Sequence, residues 1–385
     1  MPSTYTLYGS YASYYTAKVR SYLRKKGISF VERLPSDPVF RSEVRPTSGT
    51  HRIPQLTTPE GLVVQDSIAI VDFLEARFQA LPALPRTPKQ GVFVRLMELL
   101  ASEGLVTLAW KHRWLFNENQ PFITLDFGRS FRPQGSDEEL RKYGQLITDR
   151  MTSYGLPEST AEVRAELDAQ YLALLALFEA HLEAHPYFLG GQPTQADYSI
   201  MGAMHAHLGR DPAGLRCMQD HAPRTFRWVE NMLLPEVQAP EFFDVEIALL
   251  ENDALPETAI KILEFLALNF AGPFVLGAKA FKATIQAKGL REGSVISPDQ
   301  DQPMLEAVQI EDRGQDVVHR TSVYAEWVSQ RSRIFFQQLD EQEQSRVLAA
   351  LSCDTLARLL SEPVTHALDR VDQRFVIRSG PSYRP

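Results

Sequence analysis

The chain has 385 residues, 44% hydrophobic and 23% charged, a length above that at which one core stops growing; about two or three domains follow, and a disordered or fibrous chain is excluded. A net charge of −8, with a pI near 5.7, repels a phosphate backbone. The nearest basic stretch, KVRSYLRKKG at 18–27, surrounds a helical stripe of Val19, Tyr22 and Leu23 and reads as a solvated face, so no nucleic-acid partner is expected.

The opening MPSTYTLYGS has neither the basic stretch and apolar run of a secretory signal nor Arg-rich transit character, so the expected location is cytoplasmic. Only two cysteines occur, Cys217 and Cys353, which disfavours a disulfide framework and fits a reducing compartment. TYTLY at 4–8 alternates as a strand does, residues 14–27 carry helical spacing ended by Gly27, and ISFVE at 28–32 restores a short strand. A poorly patterned segment runs to about residue 50. QLTT and LVV then flank the turn PEG as a hairpin, and a helix runs from Ser67 to about Ala80. Residues 1–81 therefore read as one small sheet covered by helices. A proline-marked linker, LPALPRTP at 81–88, closes the domain.

From 88 to 245 the pattern is helical. Residues 88–116 form one long amphipathic helix ending near AWKHRWLF, and 117–160, polar and punctuated by Gly and Pro, reads as an irregular insertion with one short helix. In ELDAQYLALLALFEAHLEAH, Leu167, Tyr171, Leu174, Phe178 and Leu182 share a face. Thr194 with Asp197 three positions on is a capping box with Asp in place of Glu, opening a buried helix in a structural role. Residues 246–385 are a mainly helical extension, with helices at 256–270, 322–339 and 341–361 and a strand at RFVIR. The most apolar run, 262–281, is broken by Glu264, Asn269, Pro273 and Lys279, so it reads as helix, turn and helix, with no membrane span. Tyr324, Trp327, Phe335 and Leu339 give the extension a broad apolar face that must pack on something.

Together, LYGSYASYYTAKVRSYLRKKGI, RIPQL and VVQDSIAIVDFLE, in that order within 80 residues and followed by helices with a buried capping box, resemble the glutathione S-transferase superfamily over residues 4–245. The resemblance implies an α/β thioredoxin-like N-terminal domain, an all-α GST C-terminal-like domain and, beyond them, the helical extension. It implies a glutathione transferase, with glutathione as cosubstrate and a hydrophobic small molecule as electrophile, in a detoxification-type conjugation or thiol-driven elimination. A homodimer is consistent with it. The alternative is a non-catalytic glutathione-binding or scaffold protein on the same fold.

A free thiol with a pKa near 8.5 is only about 3% thiolate at neutral pH, and the thiolate is the nucleophile. Lowering that pKa by about two units needs roughly 2.7 kcal/mol. A hydroxyl hydrogen bond to charged sulfur supplies about 1.5–3 kcal/mol and a helix start about 0.3–1 kcal/mol. Ser13, five residues before Lys18, stands where serine-type members carry their catalytic serine; Tyr8, Ser10, Tyr14, Tyr15 and Thr16 compete for the role. An ordinary N-cap would use Ser13 equally well. With no cysteine before residue 217, cysteine-dependent thiol transfer is excluded.

The resemblance assigns glutathione to further residues. Pro54 matches the family's cis-proline, leaving Ile53 to pair with the cysteinyl peptide group. Ser67 meets the γ-glutamyl carboxylate at a helix start, and Asp66 balances the ammonium. Gln65 adds a neutral hydrogen bond, and Arg52 meets the glycyl carboxylate. The second substrate is expected against Tyr15, Trp110 and Trp114, the tryptophans being four apart on one helix face, with at least one of them in the core; His112 and Arg113 read as surface residues. His205 and His207, two apart, share no helix face, and with no suitable acid near them no metal is expected.

Overall fold

Alternating residues at the start of the chain pair as expected. In the computed structural model, which describes residues 4–298, 302–312 and 315–379 and so leaves residues 1–3 of the leader reading aside, Tyr5–Tyr8 forms β1 with Leu7 and Tyr8 buried. Ser13 caps α1 (Tyr14–Lys25), its hydroxyl accepting the Thr16 amide. β2 (Phe30–Arg33) then lies parallel to β1. A π turn at Phe40–Val44 and the short α2 (Arg45–Ser48) fill the irregular segment, and β3 (Gln55–Thr57) and β4 (Val63–Gln65) form the hairpin. Strand order is β2-β1-β3-β4, with Tyr8 opposite Gln55 and Gln55 opposite Gln65. α3 (Ser67–Glu75) follows directly.

α3 stops at Glu75 rather than near Ala80, the Arg77 and Phe78 amides both turning back onto the Leu74 carbonyl, and its end is tied to its surroundings by the Glu75 carboxylate. This carboxylate accepts from the Ala83 amide at 2.8 Å and the Tyr22 hydroxyl at 2.7 Å, and pairs with Lys26 at 2.7 Å. The basic stretch on α1 also departs from the solvated face expected of it. Lys18, Arg20 and Lys25 are buried, Arg20 in a two-oxygen pair with Glu32 and Lys25 against Asn231 and the Glu236 carbonyl. Partners outside the helix satisfy Arg20 and Lys25, and helical periodicity does not register partners.

The chain divides into two compact units, residues 1–83 with 105–250 and residues 84–104 with 251–385, a grouping that differs from the linear domains of the sequence reading. The long helix expected over 88–116 is interrupted: α4 (Pro88–Leu99) runs into a π segment at Leu100–Gly104, and α5 (Val106–Leu115) starts after it, in the first unit. The insertion is not irregular but a helix pair, α6 (Gln120–Phe131) and α7 (Asp137–Thr152). Its glycines are contact points rather than breakers: a Cβ on Gly128 would lie 2.0 Å from the Leu140 carbonyl oxygen, and one on Gly144 1.8 Å from that of Thr124. α8 (Ala161–His181) buries Leu167, Tyr171, Leu174 and Phe178, and α9 (Gln195–Met201) opens on the capping box of Thr194 and Asp197. A π turn at Gly202–His207, α10 (Pro212–His221) and α11 (Pro223–Met232) complete this layer.

In the second unit α12 (Glu257–Phe270) and α13 (Gly272–Lys288) meet at a 58° bend, and among the described residues no single helix is long and apolar enough to cross a membrane. After the ribbon β5 (Val308–Asp312) and β6 (Gln315–His319) comes α14 (Val323–Gln337), buried over most of its circumference and not over one face alone. It carries two ion pairs, Arg331 with Glu98 of α4 at 3.0 Å and Arg333 with Glu326. The helix expected over 341–361 breaks at Ser352 into α15 (Glu341–Leu351) and α16 (Asp354–Ser361), and β7 (His366–Val371) pairs with β8 (Arg374–Ser379). Phe281, Ile285, Val323, Leu368, Phe375 and Ile377 form a shared core, against which Tyr324 and Trp327 pack.

Candidate functional site

Register brings three loops to one edge of the sheet in the first unit. β1 ends at Tyr8 and leads to Ser13, β3 begins at Gln55 just after Pro54, and β4 ends at Gln65 just before Asp66 and Ser67. Since Gln55 faces both Tyr8 and Gln65, and neighbouring strands lie about 4.8 Å apart, the loops span about 10 Å. An extended tripeptide spans about the same. The amino ends of α1 and α3 open toward this edge, so both helix dipoles favour anionic groups there.

The Ile53–Pro54 bond is cis, and Ile53 is half-buried beside Tyr8, Phe40 and Val44. Arg52 is half-buried, its amide bonded to Thr50 Oγ1, and Gln65 is buried. Asp66 has φ 88, a left-handed conformation that a residue with a Cβ seldom adopts and that concentrates at functional sites. Its carboxylate accepts from the amides of Ile68 at 2.9 Å and Ala69 at 3.4 Å, so Asp66 and not Ser67 caps α3. Ser67, 1% exposed at the first helical position, has a hydroxyl with no hydrogen-bond partner among the described residues. A buried unpaired hydroxyl costs about 1–3 kcal/mol, which a ligand acceptor would remove.

Around Ser13 the hydroxyls of Tyr8, Ser10, Tyr14 and Thr16 are engaged elsewhere or walled in, whereas Tyr15 is as partly exposed as Ser13 itself. Tyr8 packs on Phe40 with ring centroids 5.3 Å apart, and burial pushes its phenol pKa up. Ser10 Oγ bonds Ser130 Oγ at 2.9 Å. Tyr14 is buried with its ring against His207 and Tyr15, and a Cβ on Gly202 would meet that ring at 2.4 Å. Thr16 is fully buried over Gly9. Tyr15 is half-buried. Ser13 is half-exposed at the helix mouth, and while its oxygen accepts from the Thr16 amide at 3.3 Å its own O–H remains a donor.

α5 borders the same loop. Arg113, read as a surface residue, is 2% exposed and donates through Nη1 to the Ala12 carbonyl at 2.9 Å; His112 is buried, stacked on Phe116 at 4.1 Å and bonded to Asp168 at 3.3 Å. Trp110, half-buried, lies one turn before Arg113 on a neighbouring strip of the helix. Trp114 is buried and stacked on Phe127 with centroids 6.0 Å apart, so it serves the core. Arg113 and Arg20, which hold the Ser13 loop, were missed by the sequence reading, and the one signal for them was a charge on an otherwise apolar helix face.

Among the described residues no three His, Cys, Asp or Glu side chains group as metal ligands. The Cys217 thiol is pushed up to about 11, chiefly by burial, and holds no thiolate at neutral pH. Buried histidines give the fold a pH dependence. Burial, with His185 nearby, lowers His181 to about 4; burial with Arg20 and Arg210 lowers His205 to about 3; and burial beside Arg113 puts His207 well below its usual range. The unfolded chain binds these protons near pH 6.5, so the stability is complete above that pH and is lost as pH falls, at up to about 1.4 kcal/mol per unit for each histidine. Asp197, raised by burial to about 7, opposes this, since its proton is released on unfolding above about pH 4. Asp211, also raised by burial, opposes in the same sense, and His185, lowered by burial, adds to the first three; four histidines outweigh two carboxyls, so the urea midpoint should be higher at pH 7 than at pH 5, and a midpoint lower at pH 7 would contradict the assignment.

Residues 7–82 match the family described as "Glutathione S-transferase, N-terminal domain", and residues 161–205 match "Glutathione S-transferase, C-terminal domain". No curated protein matches the chain. Among solved structures it is similar to a glutathione S-transferase of Methylobacterium radiotolerans in complex with glutathione sulfonate, with 20% identity over 66% of this chain and 100% of that one and a TM-score of 0.36. It is also similar to a glutathione S-transferase from Rhodospirillum rubrum, with 17% identity over 67% and 99% and a TM-score of 0.39. A beta-etherase from Sphingobium gives 20% identity over 60% and 94%, with a TM-score of 0.41.

Proposed function

We propose that this chain, which belongs to the glutathione S-transferase superfamily through its domains at 7–82 and 161–205, binds reduced glutathione along the sheet edge and joins it whole, through its sulfur, to a hydrophobic electrophile. The observation that carries the reading is the buried, unpartnered Ser67 hydroxyl at the start of α3, two strand spacings from the Ser13 loop. The γ-glutamyl carboxylate accepts from Ser67 and is favoured by the α3 dipole, with Asp66 opposite the ammonium. Ile53, ahead of Pro54, pairs with the cysteinyl peptide group; Gln65 and Arg52 complete the peptide contacts.

The sulfur then lies at the mouth of α1. Ser13 donates its O–H to the thiolate, the thiol proton leaves to solvent, and the sulfur lone pair forms a bond to the electrophilic carbon while the leaving group departs with its electron pair. Tyr15 and Trp110 wall the electrophile, with Trp114 behind them in the core. The setting that supplies reduced glutathione is the cytoplasm, consistent with two cysteines in the whole chain.

Calorimetry with reduced glutathione tests the reading. Ser67→Ala should weaken binding about 10- to 100-fold, the worth of a hydrogen bond to a charged group, without lowering the thermal midpoint, because the hydroxyl has no hydrogen-bond partner among the described residues. Absence of any heat with folded wild-type protein would sink the reading; retention on immobilised glutathione without turnover of an aryl halide would reduce it to a binding protein.

A further inference from the structure

Arg113 is buried in the first unit, and its guanidinium reaches three separate acceptors. Nε and Nη2 donate to the two Asp211 oxygens at 2.7 and 3.0 Å, Nη2 also reaches the Ala206 carbonyl, and Nη1 donates to the Ala12 carbonyl at 2.9 Å. Asp211 alone would satisfy the charge, so the bond to Ala12 directs the remaining edge of the fork at the residue before Ser13. Asn119 secures the base of the arm, donating to the Arg113 carbonyl at 3.3 Å and accepting the Ala213 amide at 2.9 Å.

The other side of the same peptide is fixed as well. The Ser13 amide donates to the Ser10 carbonyl at 3.1 Å, and that carbonyl also takes Arg20 Nη2 at 3.1 Å. The Ala12–Ser13 peptide plane is thus held through its N–H by the Ser10 turn and through its C=O by Arg113. That plane sets where the Ser13 side chain leaves the backbone and where α1 begins.

We propose that Arg113, clamped by Asp211, is a positioning residue that aims the Ser13 hydroxyl and the first turn of α1 at the sulfur of the bound thiol. The inference rests on the reading of Ser13 given above. The guanidinium acts through geometry, since its charge is cancelled by Asp211 at contact distance, and a displacement of about 1 Å at a reacting group is enough to cost up to about 100-fold in rate. Lysine keeps the charge but has no fork, so it cannot serve Asp211 and Ala12 together.

The test compares full-length wild type, Arg113→Lys, Asp211→Asn and Ser13→Ala, measuring the pH titration of the bound glutathione thiol by its ultraviolet thiolate absorbance and the exchange rate of the Ser13 amide. Arg113→Lys should raise the bound-thiol pKa by about one unit, lower kcat/KM about 10-fold below that pKa, and leave the KM for glutathione within about 2-fold. It should also speed exchange at Ser13. Asp211→Asn should raise the thiol pKa too, because the fork loses its anchor; a fall instead would mean that Arg113 acts as a bare charge, and the inference fails. An unchanged thiol pKa in Arg113→Lys, with Ser13→Ala shifted, overturns the positioning role alone. An unchanged pKa in Ser13→Ala overturns the reading of Ser13. The wild type decides even if the variants unfold: a Ser13 amide exchanging as fast as an open loop contradicts a pinned peptide, whereas exchange as slow as that of the α1 core supports it.

Discussion

Turnover by Ser13→Ala should fall about 50-fold near pH 6.5 and recover nearly all of that deficit by about pH 9. The profile follows from thiolate fractions. In the proposed role of Ser13, the hydroxyl donor and the capped start of α1 together bring the bound thiol near 6.5, about two units below a free thiol and about half ionised there; alanine removes the donor and loosens that start, so the thiol returns toward 8.5 and is about 1% ionised. Above both values each enzyme holds mostly thiolate and the difference closes. Ser13 is also the N-cap of α1, accepting the Thr16 amide, so alanine removes a cap worth about 1 kcal/mol as well as the donor. Ser13→Asp separates the two roles, because aspartate caps as well as serine does but sets a negative charge beside the sulfur. If capping were the whole role, Asp would restore activity; on the present reading it is less active than Ala at every pH. Tyr8→Phe and Tyr14→Phe should retain activity, since both phenols sit in packed surroundings. Full turnover in Ser13→Ala at pH 6.5 would remove this serine from the chemistry.

What could be read from the residues was what local chemistry decides. The alternation of Tyr5 to Tyr8, the turn between β3 and β4, and the acid and serine before an apolar helix each act over a few residues, and the sheet and its first helix follow. The helix pair α6 and α7 was illegible because Gly128 and Gly144 look like breakers until a facing backbone is known to lie where their Cβ atoms would be. Buried cations were illegible for a related reason. Arg113 finds Asp211 and Ala206 about 95 residues away, and Arg20 finds Glu32 across the edge of the sheet, so charge alone suggested solvent. At the site, Asp66 and Ser67 could be singled out as a pair, but which of them caps the helix depends on the left-handed backbone at Asp66, which nothing in its neighbours encodes.

The largest effect on stability is expected from Asp197→Ala, which should lower the unfolding free energy of the first unit by about 3–5 kcal/mol. The side chain is fully buried, and its two oxygens accept three donors: the Thr194 amide at 2.8 Å, the Thr194 hydroxyl at 3.0 Å and the Phe188 amide at 3.1 Å. Alanine leaves all three without an acceptor where water does not reach. Each stranded donor costs about 1–3 kcal/mol, and partial relaxation brings the sum to the stated range. Thr194→Ala should cost less, about 1–2 kcal/mol, since both amides keep the carboxylate. Asp197→Asn should fall between them, keeping one acceptor oxygen but turning an N–H against a donor. The defect should also reach the sheet edge proposed for glutathione, because Tyr198 on α9 packs edge-on against Tyr22 of α1, with centroids 5.2 Å apart, and α1 carries Ser13 at its start. Urea unfolding, together with amide exchange over 195–201 and over α1, measures both consequences. An Asp197→Ala protein that unfolds at the wild-type urea midpoint would show that the capping carboxylate holds neither the helix nor the site it supports.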